Sequence, residues 1–342
     1  MKTQKNIRLA LLGFGPVNRS FAEILADKGE DLCQRYGIRL SITAAVDSTG
    51  GALDTTGLDP GRLVKAKGFG SVADYPEKGR IGMEGLEAIA QSEADIILEA
   101  TTVSMQDGEP GMSYVRTALS SGKHVVMANK GPLVQAYQDL HALASDHQVL
   151  IKFSATLGGS LPTYNMGVRD LAGCTIERVD AILNGTSHYI LSSMNTGVTY
   201  DEALAEAQRL EIAERDPTLD VEGWDAANKL VILANSVLNM PATLDDIERT
   251  GISHLKSRDL PLTMLGTAIR NEDGTYSLAV RPERLPVDHP LAALPPLSMG
   301  LVFHTDLVGP LTMTVNERGP KPTAAAMLRD VLEIGMEKNN AG

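Results

Sequence analysis

The sequence has few of the residues from which disulfides and metal sites are built. Its two cysteines, Cys33 and Cys174, stand apart from each other and from any histidine at metal-ligand spacing. They are typical of reduced thiols in a reducing compartment. The seven histidines are scattered and form no HExxH-type motif. These features disfavour a disulfide-bonded secreted domain and a structural or catalytic zinc site.

Long apolar runs and clusters of basic residues are also missing. The apolar run near the N-terminus is too short to span a bilayer and has no small-residue cleavage site after it. The net charge is -12 and the pI about 5.1, and a surface of that charge repels nucleic acid and anionic lipid. We therefore expect a cytoplasmic protein with no nucleic-acid partner and no membrane partner.

The chain is long enough for two domains, and its first half alternates strands with helices. Its 342 residues are 43% hydrophobic and 22% charged, which predicts two domains or one domain with a large insertion. Predicted strands lie at 7–12, 40–46, 95–98, 124–127 and 149–153, and predicted helices at 17–28, 113–120 and 133–144. This alternation predicts an α/β fold whose doubly wound parallel sheet is covered on both faces.

The pattern changes after Phe153. Residues 154–160 are small and rich in glycine, which is typical of a loop or a domain junction. Beyond this segment we predict a strand near 178–183, several helices up to about residue 238, short β segments from Leu278 onward and a last helix near 323–336.

A glycine loop follows the first predicted strand. It consists of Gly13, Phe14, Gly15, Pro16, Val17 and Asn18. In a dinucleotide-binding βαβ unit, Gly13 allows a tight turn, Gly15 lets the backbone approach a pyrophosphate, and the next helix offers free N–H groups. Asn18 replaces the usual third glycine, and a plain strand-to-helix turn is the alternative. The flanking strand and helix, with an acidic residue ending the next strand, favour a cofactor site.

That acidic residue is Asp47. Its carboxylate would accept hydrogen bonds from ribose hydroxyls and repel a 2′-phosphate, which favours NAD. Its spacing from Gly13 is longer than usual, however, and the small side chains of Ser48 and Thr49 leave room for a phosphate. Arg19 is either a phosphate ligand or a helix-surface arginine. Both NAD and NADP are therefore candidate cofactors.

Polar residues follow two more of the predicted strands. Thr101 and Thr102 end one strand, and Asn129 and Lys130 follow another. Ligands of open α/β sheets collect at the carboxyl ends of the strands, so we predict these four residues at the cofactor site. For Lys130 the alternative is a solvated surface charge.

The most informative segment is ERDPTLDVEGWDAANK, residues 214–229. Asp225 and Lys229 are four residues apart on one face of a predicted helix, and the apolar run 230–234 that follows predicts a buried helix. Such a pair would act in proton transfer with a hydroxyl or carbonyl oxygen, and a surface ion pair is the alternative. Asp220 is a candidate cap of the same helix.

A second turn that would bind a ligand lies between a predicted strand and a predicted helix. It consists of Asn184, Gly185 and Thr186. Its amides would hold a carboxylate or the amide of a nicotinamide, and a purely structural turn is the alternative.

Five segments resemble the homoserine dehydrogenases in order and spacing. They are GFGPVN (13–18), GKHVVMANKGPL (122–133), ILNGTSHYILSSM (182–194), EALAEAQRLEIAERDPTLDVEGWDAANKLVILAN (202–235) and KPTAAAMLRDV (321–331). They extend over nearly the whole chain, and the match is most specific from Asn184 to Asn235. The resemblance implies interconversion of L-homoserine and L-aspartate 4-semialdehyde by hydride transfer with NAD(P).

The resemblance also implies the domain organisation. A Rossmann-type domain would span residues 1–153 and be completed by the C-terminal helix at 320–342, and a central α/β domain at 154–319 would bind substrate and form a homodimer. The sequence continues into no regulatory small-molecule-binding domain and no fused kinase, so feedback control through such a domain is not expected.

Residue roles follow from the resemblance by position. Lys229 resembles the proton donor and acceptor at the substrate oxygen, and Asp225 the acidic residue beside it. Glu214 resembles the group that holds the substrate's amino end, and Lys130 the lysine near nicotinamide and substrate. The implied substrate site also includes Asn184, Gly185, Thr186 and Asp220, and the implied cofactor site also includes Gly319.

The chain departs from the family at four places. Phe153 stands where a glutamate is common at the start of the cation loop, although the loop 153–159 still offers carbonyl oxygens to a sodium ion. Glu211 replaces an expected glycine and His188 an asparagine, and the glycine-rich tail motif is reduced to RGP at 318–320. These changes leave a related amino alcohol open as the substrate.

Two other functions are alternatives. The first is an NAD(P)-dependent dehydrogenase of another small amino alcohol or hydroxy acid, which a pocket without Glu214, Asp225 and Lys229 would favour. The second is a non-catalytic dinucleotide-binding sensor, which would bind the cofactor without turnover.

Overall fold

The computed structural model describes residues 5–256, 259 and 261–340. The chain divides into two compact units, the first formed by residues 1–159 and 318–342 and the second by residues 160–317. The domain limits predicted from the sequence, 153/154 and 319/320, lie near these boundaries. Residues 1–4 and 341–342 of the predicted first domain lie outside the described residues.

The elements are numbered in chain order. The helices are α1 (Pro16–Tyr36), α2 (Pro60–Phe69), α3 (Gly85–Gln91), α4 (Gly111–Ser120), α5 (Gly131–Asp146), α6 (Thr163–Asn165), α7 (Gly185–Met194), α8 (Tyr200–Arg209), α9 (Thr218–Val221), α10 (Trp224–Ser236) and α11 (Lys321–Asn340). The strands are β1 (Lys5–Leu12), β2 (Ile38–Val46), β3 (Gly50–Leu58), β4 (Gly79–Ile81), β5 (Ile96–Glu99), β6 (His124–Met127), β7 (Ile151–Lys152), β8 (Ile176–Ile182), β9 (Ile247–Arg249), β10 (Thr263–Arg270), β11 (Tyr276–Glu283), β12 (Ser298–Thr305) and β13 (Gly309–Asn316).

The first unit is a seven-stranded sheet in the order β4-β3-β2-β1-β5-β6-β7. Strands β1, β2, β5, β6 and β7 are parallel, and the order reverses between β1 and β5. A buried core joins the sheet to α1 and α11, with Leu9, Phe21, Ile42, Met327 and Val331 among its members. The C-terminal helix is therefore part of this unit, as its apolar face requires.

Between Val46 and Asp95 the sequence pattern predicts no element, and the structure places β3, α2, β4 and α3 there. Strands β3 and β4 run antiparallel at the edge of the sheet. The middle of β3 is exposed and β4 has three residues, so neither carries the apolar alternation that identifies a strand. The sheet is thus parallel over five strands, as predicted, with two antiparallel strands added at one edge.

Helix α1 is longer than the predicted 17–28. It continues to Tyr36 and ends at Gly37, whose φ of 71° is left-handed and whose N–H donates to the Cys33 carbonyl. Glycine adopts this conformation without the steric cost that a Cβ would add, so it terminates the helix here.

The second unit is a six-stranded sheet in the order β13-β12-β8-β10-β11-β9. All its pairs are antiparallel except β11 with β9. Helices α7 and α10 pack against this sheet. Strands β8, β11, β12 and β13 correspond to predicted β segments, whereas β9 and β10 were not predicted.

Helix α10 lies in the centre of the second unit. It begins after Gly223, which has a left-handed φ of 77°, and its run Leu230–Ala234 is fully buried. The apolar character of this run on every side, seen in the sequence, reflects burial among the strands and helices of the unit. Within the described part of the chain, no helix is both long and apolar enough to cross a bilayer.

Candidate active site

The first unit has a cleft of about 440 Å³ next to the glycine loop. The loop follows β1, where the strand order reverses and ligands of open α/β sheets bind. Gly13 has a φ of 77°, and a Cβ there would lie 2.6 Å from the Ala100 carbonyl oxygen, so no other residue fits. Helix α1 has neither a side-chain cap nor an acidic residue in its first turn. Its N-terminal N–H groups can therefore bind an anion.

Eight of the predicted cofactor residues line the cleft: Gly13, Phe14, Gly15, Pro16, Asp47, Ser48, Thr101 and Thr102. Five others are not among its lining residues: Val17, Asn18, Asn129, Lys130 and Gly319. Asn18 is fully buried and its amide donates to the carbonyl oxygens of Leu12 at 2.9 Å and Gly13 at 3.1 Å. Asn18 therefore stabilises the backbone of the glycine loop through these hydrogen bonds. Arg19 forms an exposed pair with Glu23, as expected of a helix-surface arginine.

Asp47 ends β2 at the cleft, and protein donors surround its carboxylate. Lys67 Nζ donates to Oδ2 at 2.7 Å, and four further bonds come from Thr49, Gly50, Ser71 and Val72. Burial favours the neutral acid, but these bonds outweigh it and lower the pKa of Asp47. Lys67 also lines the cleft. It was not identified from the sequence, because the ion pair joins residues 20 positions apart.

Glu99 is a second residue that the sequence analysis missed. It ends β5, is fully buried, and accepts hydrogen bonds from the N–H and hydroxyl of Thr101 and from the amide of Asn129. Burial raises its pKa. The available signal was an acidic residue at the end of the strand IILE, where a charge is unexpected in a buried parallel strand.

Lys130 and the loop 153–159 also belong to this unit. Lys130 is half-buried at the N-cap of α5. Phe153 is buried with its ring edge against Tyr137 and His141, and its carbonyl accepts hydrogen bonds from the N–H and hydroxyl of Thr156. A sodium ion at this loop stays a prediction.

The second unit contains a buried lysine–aspartate pair on α10. Lys229 Nζ donates to Asp225 Oδ2 at 2.7 Å and to the Leu183 carbonyl at 2.6 Å. The exposed fractions of the two side chains are 11% and 14%, so the alternative of a surface ion pair is wrong. These two bonds use two of the three donors of an ammonium, which leaves one for a ligand.

Asn184 joins this pair to Asp220. Its amide nitrogen donates to Asp220 Oδ1 at 2.6 Å and to Asp225 Oδ2 at 2.9 Å, and its Oδ1 accepts from Ser187 N to cap α7. Burial raises the pKa of Asp220, and the Asp225 charge acts in the same direction. The prediction that Asp220 caps α10 is wrong, because Gly223 holds that position and Asp220 lies in α9.

The other predicted substrate residues lie at the start of α7 and in the loop after α8. Thr186 donates to the Ile212 carbonyl at 3.2 Å, which ties the turn to the loop after α8. Glu214 in that loop is exposed, and among the described residues no hydrogen bond or ion pair joins its carboxylate to Lys229.

Glu211 has a left-handed φ of 57°, which explains why glycine is expected at this position. His188 is buried, which lowers its pKa.

One histidine–carboxylate cluster was not expected from the scattered histidines. One carboxylate oxygen of Asp180 and one ring nitrogen each of His289 and His304 lie within 4.8 Å of one another. His289 Nδ1 accepts a hydrogen bond from Leu291 N, so its Nε2 carries the proton and donates to Asp180. Arg178 also binds the Asp180 carboxylate, at 2.8 Å. The cluster is thus a hydrogen-bonded network around a buried carboxylate.

Comparison with known proteins identifies the family. The family model for homoserine dehydrogenase matches residues 162–332. The homoserine dehydrogenase of Methanocaldococcus jannaschii is 36% identical over 95% of this chain and 98% of its own length. The NAD(+)-dependent homoserine dehydrogenase of Pseudomonas canavaninivorans is 36% identical over 96% of each chain. The chain belongs to the homoserine dehydrogenase family.

Solved structures of homoserine dehydrogenases have the same fold. The enzyme from Thermoplasma acidophilum superposes with a TM-score of 0.85 at 25% identity, over 97% of this chain and 100% of that one. A hyperthermophilic archaeal homoserine dehydrogenase in complex with NADPH gives a TM-score of 0.84 at 25% identity, over 97% and 98%. These comparisons confirm the resemblance and the predicted α/β fold. The family match includes Asn184, Asp220, Asp225 and Lys229.

Proposed function

We propose that this protein is an NAD(P)-dependent homoserine dehydrogenase that interconverts L-homoserine and L-aspartate 4-semialdehyde. The observation that carries this proposal is the buried Lys229–Asp225 pair within the segment that matches the family model. Lysine and aspartate side chains are mostly exposed in folded proteins, so a pair buried in this segment indicates a functional role.

The cleft of the first unit has the features that a dinucleotide needs. The side of Gly15 where a Cβ would stand has no protein atom within 4 Å, and the uncapped start of α1 can take a pyrophosphate. We assign cofactor binding to the glycine loop, Thr101 and Thr102, with Asn129 and Lys130 after the neighbouring strand. When bound, the nicotinamide cofactor supplies the hydride donor or acceptor. Relatives include an NAD(+)-dependent enzyme and a complex with NADPH, so the proposal includes both cofactors.

Lys229 is the proposed proton carrier. In oxidation its neutral amine takes the proton of the substrate hydroxyl as the carbon gives up hydride, and in reduction its ammonium returns a proton to the carbonyl oxygen. Asp225 and the Leu183 carbonyl hold Nζ in a fixed position through bonds of 2.7 and 2.6 Å. This fixed position supplies the orientation that proton transfer requires.

The substrate's amino acid end is assigned to the residues around this pair. Asn184, Gly185 and Thr186 lie at the start of α7, and Asp220 of α9 is hydrogen-bonded to Asn184. Glu214 supplies an exposed carboxylate for the ammonium group of the substrate. We also propose a cytoplasmic homodimer, because symmetric dimers are the commonest soluble assembly and the two cysteines, which form no disulfide in the described part of the chain, are typical of a reducing compartment.

The first experiment follows absorbance of the reduced nicotinamide with L-homoserine and either NAD or NADP. We expect turnover in the wild-type protein and a loss of at least ~100-fold in kcat for Lys229→Ala, since general acid–base groups contribute that much or more. Lys256→Ala removes an exposed lysine of the same unit and should leave kcat unchanged. Cofactor binding without turnover in the wild-type protein would contradict the proposal.

A further inference from the structure

Glu99 is a buried acid in the first unit that the proposed reaction does not use. It lies at the carboxyl end of β5, in register with Leu12 of β1 and Met127 of β6. Its residue exposure is 0%. Among the residues that the structure describes, no lysine or arginine forms an ion pair with it. An ionised carboxylate in this place would be buried without a counter-charge, which is very unfavourable.

The two oxygens of Glu99 have different surroundings. Oε1 accepts hydrogen bonds from Thr101 N at 2.9 Å, from the Thr101 hydroxyl, and from Asn129 Nδ2 at 3.4 Å. Oε2 is buried and has no hydrogen-bond partner within the described part of the chain. This asymmetry matches a carboxylic acid whose carbonyl oxygen is Oε1 and whose hydroxyl is Oε2.

The two residues that donate to Oε1 lie at or next to the predicted cofactor site. Thr101 lines the cleft, and Asn129 is adjacent to Lys130. The Asn129 Oδ1 accepts from Gly131 N at 2.9 Å, at the first residue of α5. One acid thus connects the end of β5 to the start of the helix that follows β6.

Gly111 shows how tightly this network is packed. A Cβ at Gly111 would lie 2.6 Å from Asn129 Nδ2 and 3.2 Å from the Glu99 carboxyl group. Helix α4 therefore packs directly against Glu99 and Asn129 at Gly111, which has no side chain. Tyr114 on α4 lies close enough to Glu99 for the two groups to interact electrostatically, and its phenol supplies no positive charge.

We propose that Glu99 is a positioning residue that acts as an uncharged acid and fixes Thr101 at the cofactor cleft and Asn129 beside Lys130 at the start of α5. The part of this inference that concerns the cofactor rests on the proposed function. It assigns Glu99 no contact with the cofactor and no proton transfer, since Glu99 does not line the cleft. It acts through the geometry of the two residues that it holds.

The test compares Glu99→Gln with Glu99→Leu. Glutamine keeps an uncharged acceptor at Oε1, so the Kd for NADH or NADPH, measured by fluorescence titration, should stay within about threefold of the wild type. Leucine removes the acceptor of three hydrogen bonds, and the Kd should rise about tenfold or more. Glu93→Leu, the same substitution at an exposed glutamate, should leave the Kd unchanged.

Infrared spectroscopy reports the proton without requiring any activity. The difference spectrum between wild type and Glu99→Gln at neutral pH should contain the C=O stretch of a protonated carboxyl group. A carboxylate band instead would overturn the inference. A Kd that rises equally in Glu99→Gln and Glu99→Leu would also overturn it, because the charge would then matter.

A second variant keeps the test valid if Glu99→Leu does not fold. Thr101→Val removes one donor to Oε1 and should shift the protonated carboxyl band and weaken cofactor binding, and an unchanged spectrum and Kd would contradict the inference. If the proposed function is wrong, the wild-type protein should bind the cofactor without turning over homoserine, which is a different outcome. In that case the comparison of the Glu99 variants still decides the present inference.

Discussion

At the scale of single residues, the contacts of Asp47 bear on the choice between NAD and NADP. A carboxylate that selects NAD needs free lone pairs for the ribose hydroxyls. Those of Asp47 accept five hydrogen bonds from the protein, including one from Lys67 Nζ at 2.7 Å. Lys67 therefore balances the charge of the carboxylate, and its ammonium group lines the same cleft. This arrangement favours a cofactor that carries a 2′-phosphate.

We predict that Lys67→Ala shifts the cofactor preference toward NAD. Loss of the cation should raise the Kd for NADPH about tenfold relative to that for NADH, because hydrogen bonds to charged groups contribute on the order of 1.5–3 kcal/mol. Fluorescence titrations of both reduced cofactors measure this ratio. Lys65→Ala, at an exposed lysine on the same helix, should not change it. Equal weakening of both cofactors would show that Lys67 does not discriminate between them.

The sequence predicted some residues of the candidate site and not others, for a physical reason. Asp225 and Lys229 are one helical turn apart, so helix geometry alone brings them together. Glu99 and Asn129 are separated by 30 positions, and their hydrogen bond depends on the register of β5 and β6. No local pattern specifies that register in a strand buried on both faces.

At the scale of elements, α11 is joined to the loop 153–159 by a buried acid. Asp330 accepts hydrogen bonds from Ser154 N at 2.9 Å and from its hydroxyl at 2.6 Å. Burial raises the pKa of Asp330 from 3.8 to about 6, with Arg329 opposing this shift and Glu333 adding to it. Between these two values the folded chain binds more protons than the unfolded chain. The free energy of unfolding therefore falls as the pH rises through this range.

Asp330→Asn should remove this pH dependence. Relative to the wild type, the variant should gain on the order of 2–3 kcal/mol in the free energy of unfolding between pH 4 and pH 7. Urea denaturation of both proteins at several pH values measures this difference. As a control, Asp306→Asn changes an exposed acid whose pKa is lowered. Its carboxylate is ionised in the folded and unfolded chains above pH 4, so this variant should show almost no pH-dependent difference from the wild type across this range. A constant difference for Asp330→Asn across this range would contradict the assignment.

Elements with a clear periodic or all-round apolar pattern were predictable, and strands without such a pattern were not. The buried run of β1 and the all-round apolar α10 each carry a pattern that fixes their type. Strand β3 has exposed residues at its centre, and β10 has a continuous buried stretch with a glycine inside it. Both are strands because their neighbours complete the hydrogen bonding, which is a property of the folded sheet.

At the scale of the whole molecule, the first unit is assembled from the two ends of the chain. Residues 318–342 belong to it, although residues 160–317 form the second unit. Met327 and Val331 of α11 are fully buried in the same core as Phe21 of α1. This core is complete only when the end of the chain has packed on its beginning, so damage to α11 should weaken the unit that holds the cofactor cleft.

We predict that cofactor compensates for a core defect in the first unit and not for one in the second. Met327→Ala and Leu233→Ala each empty a fully buried position and should each cost about 2–5 kcal/mol. NADPH at ~100 times its Kd adds about 2.7 kcal/mol to the form that binds it. Scanning calorimetry with and without NADPH should therefore show recovery of the melting transition in Met327→Ala and little recovery in Leu233→Ala. Equal recovery in both variants would mean that the two units unfold as one cooperative body, and α11 would then stabilise the whole chain rather than the first unit.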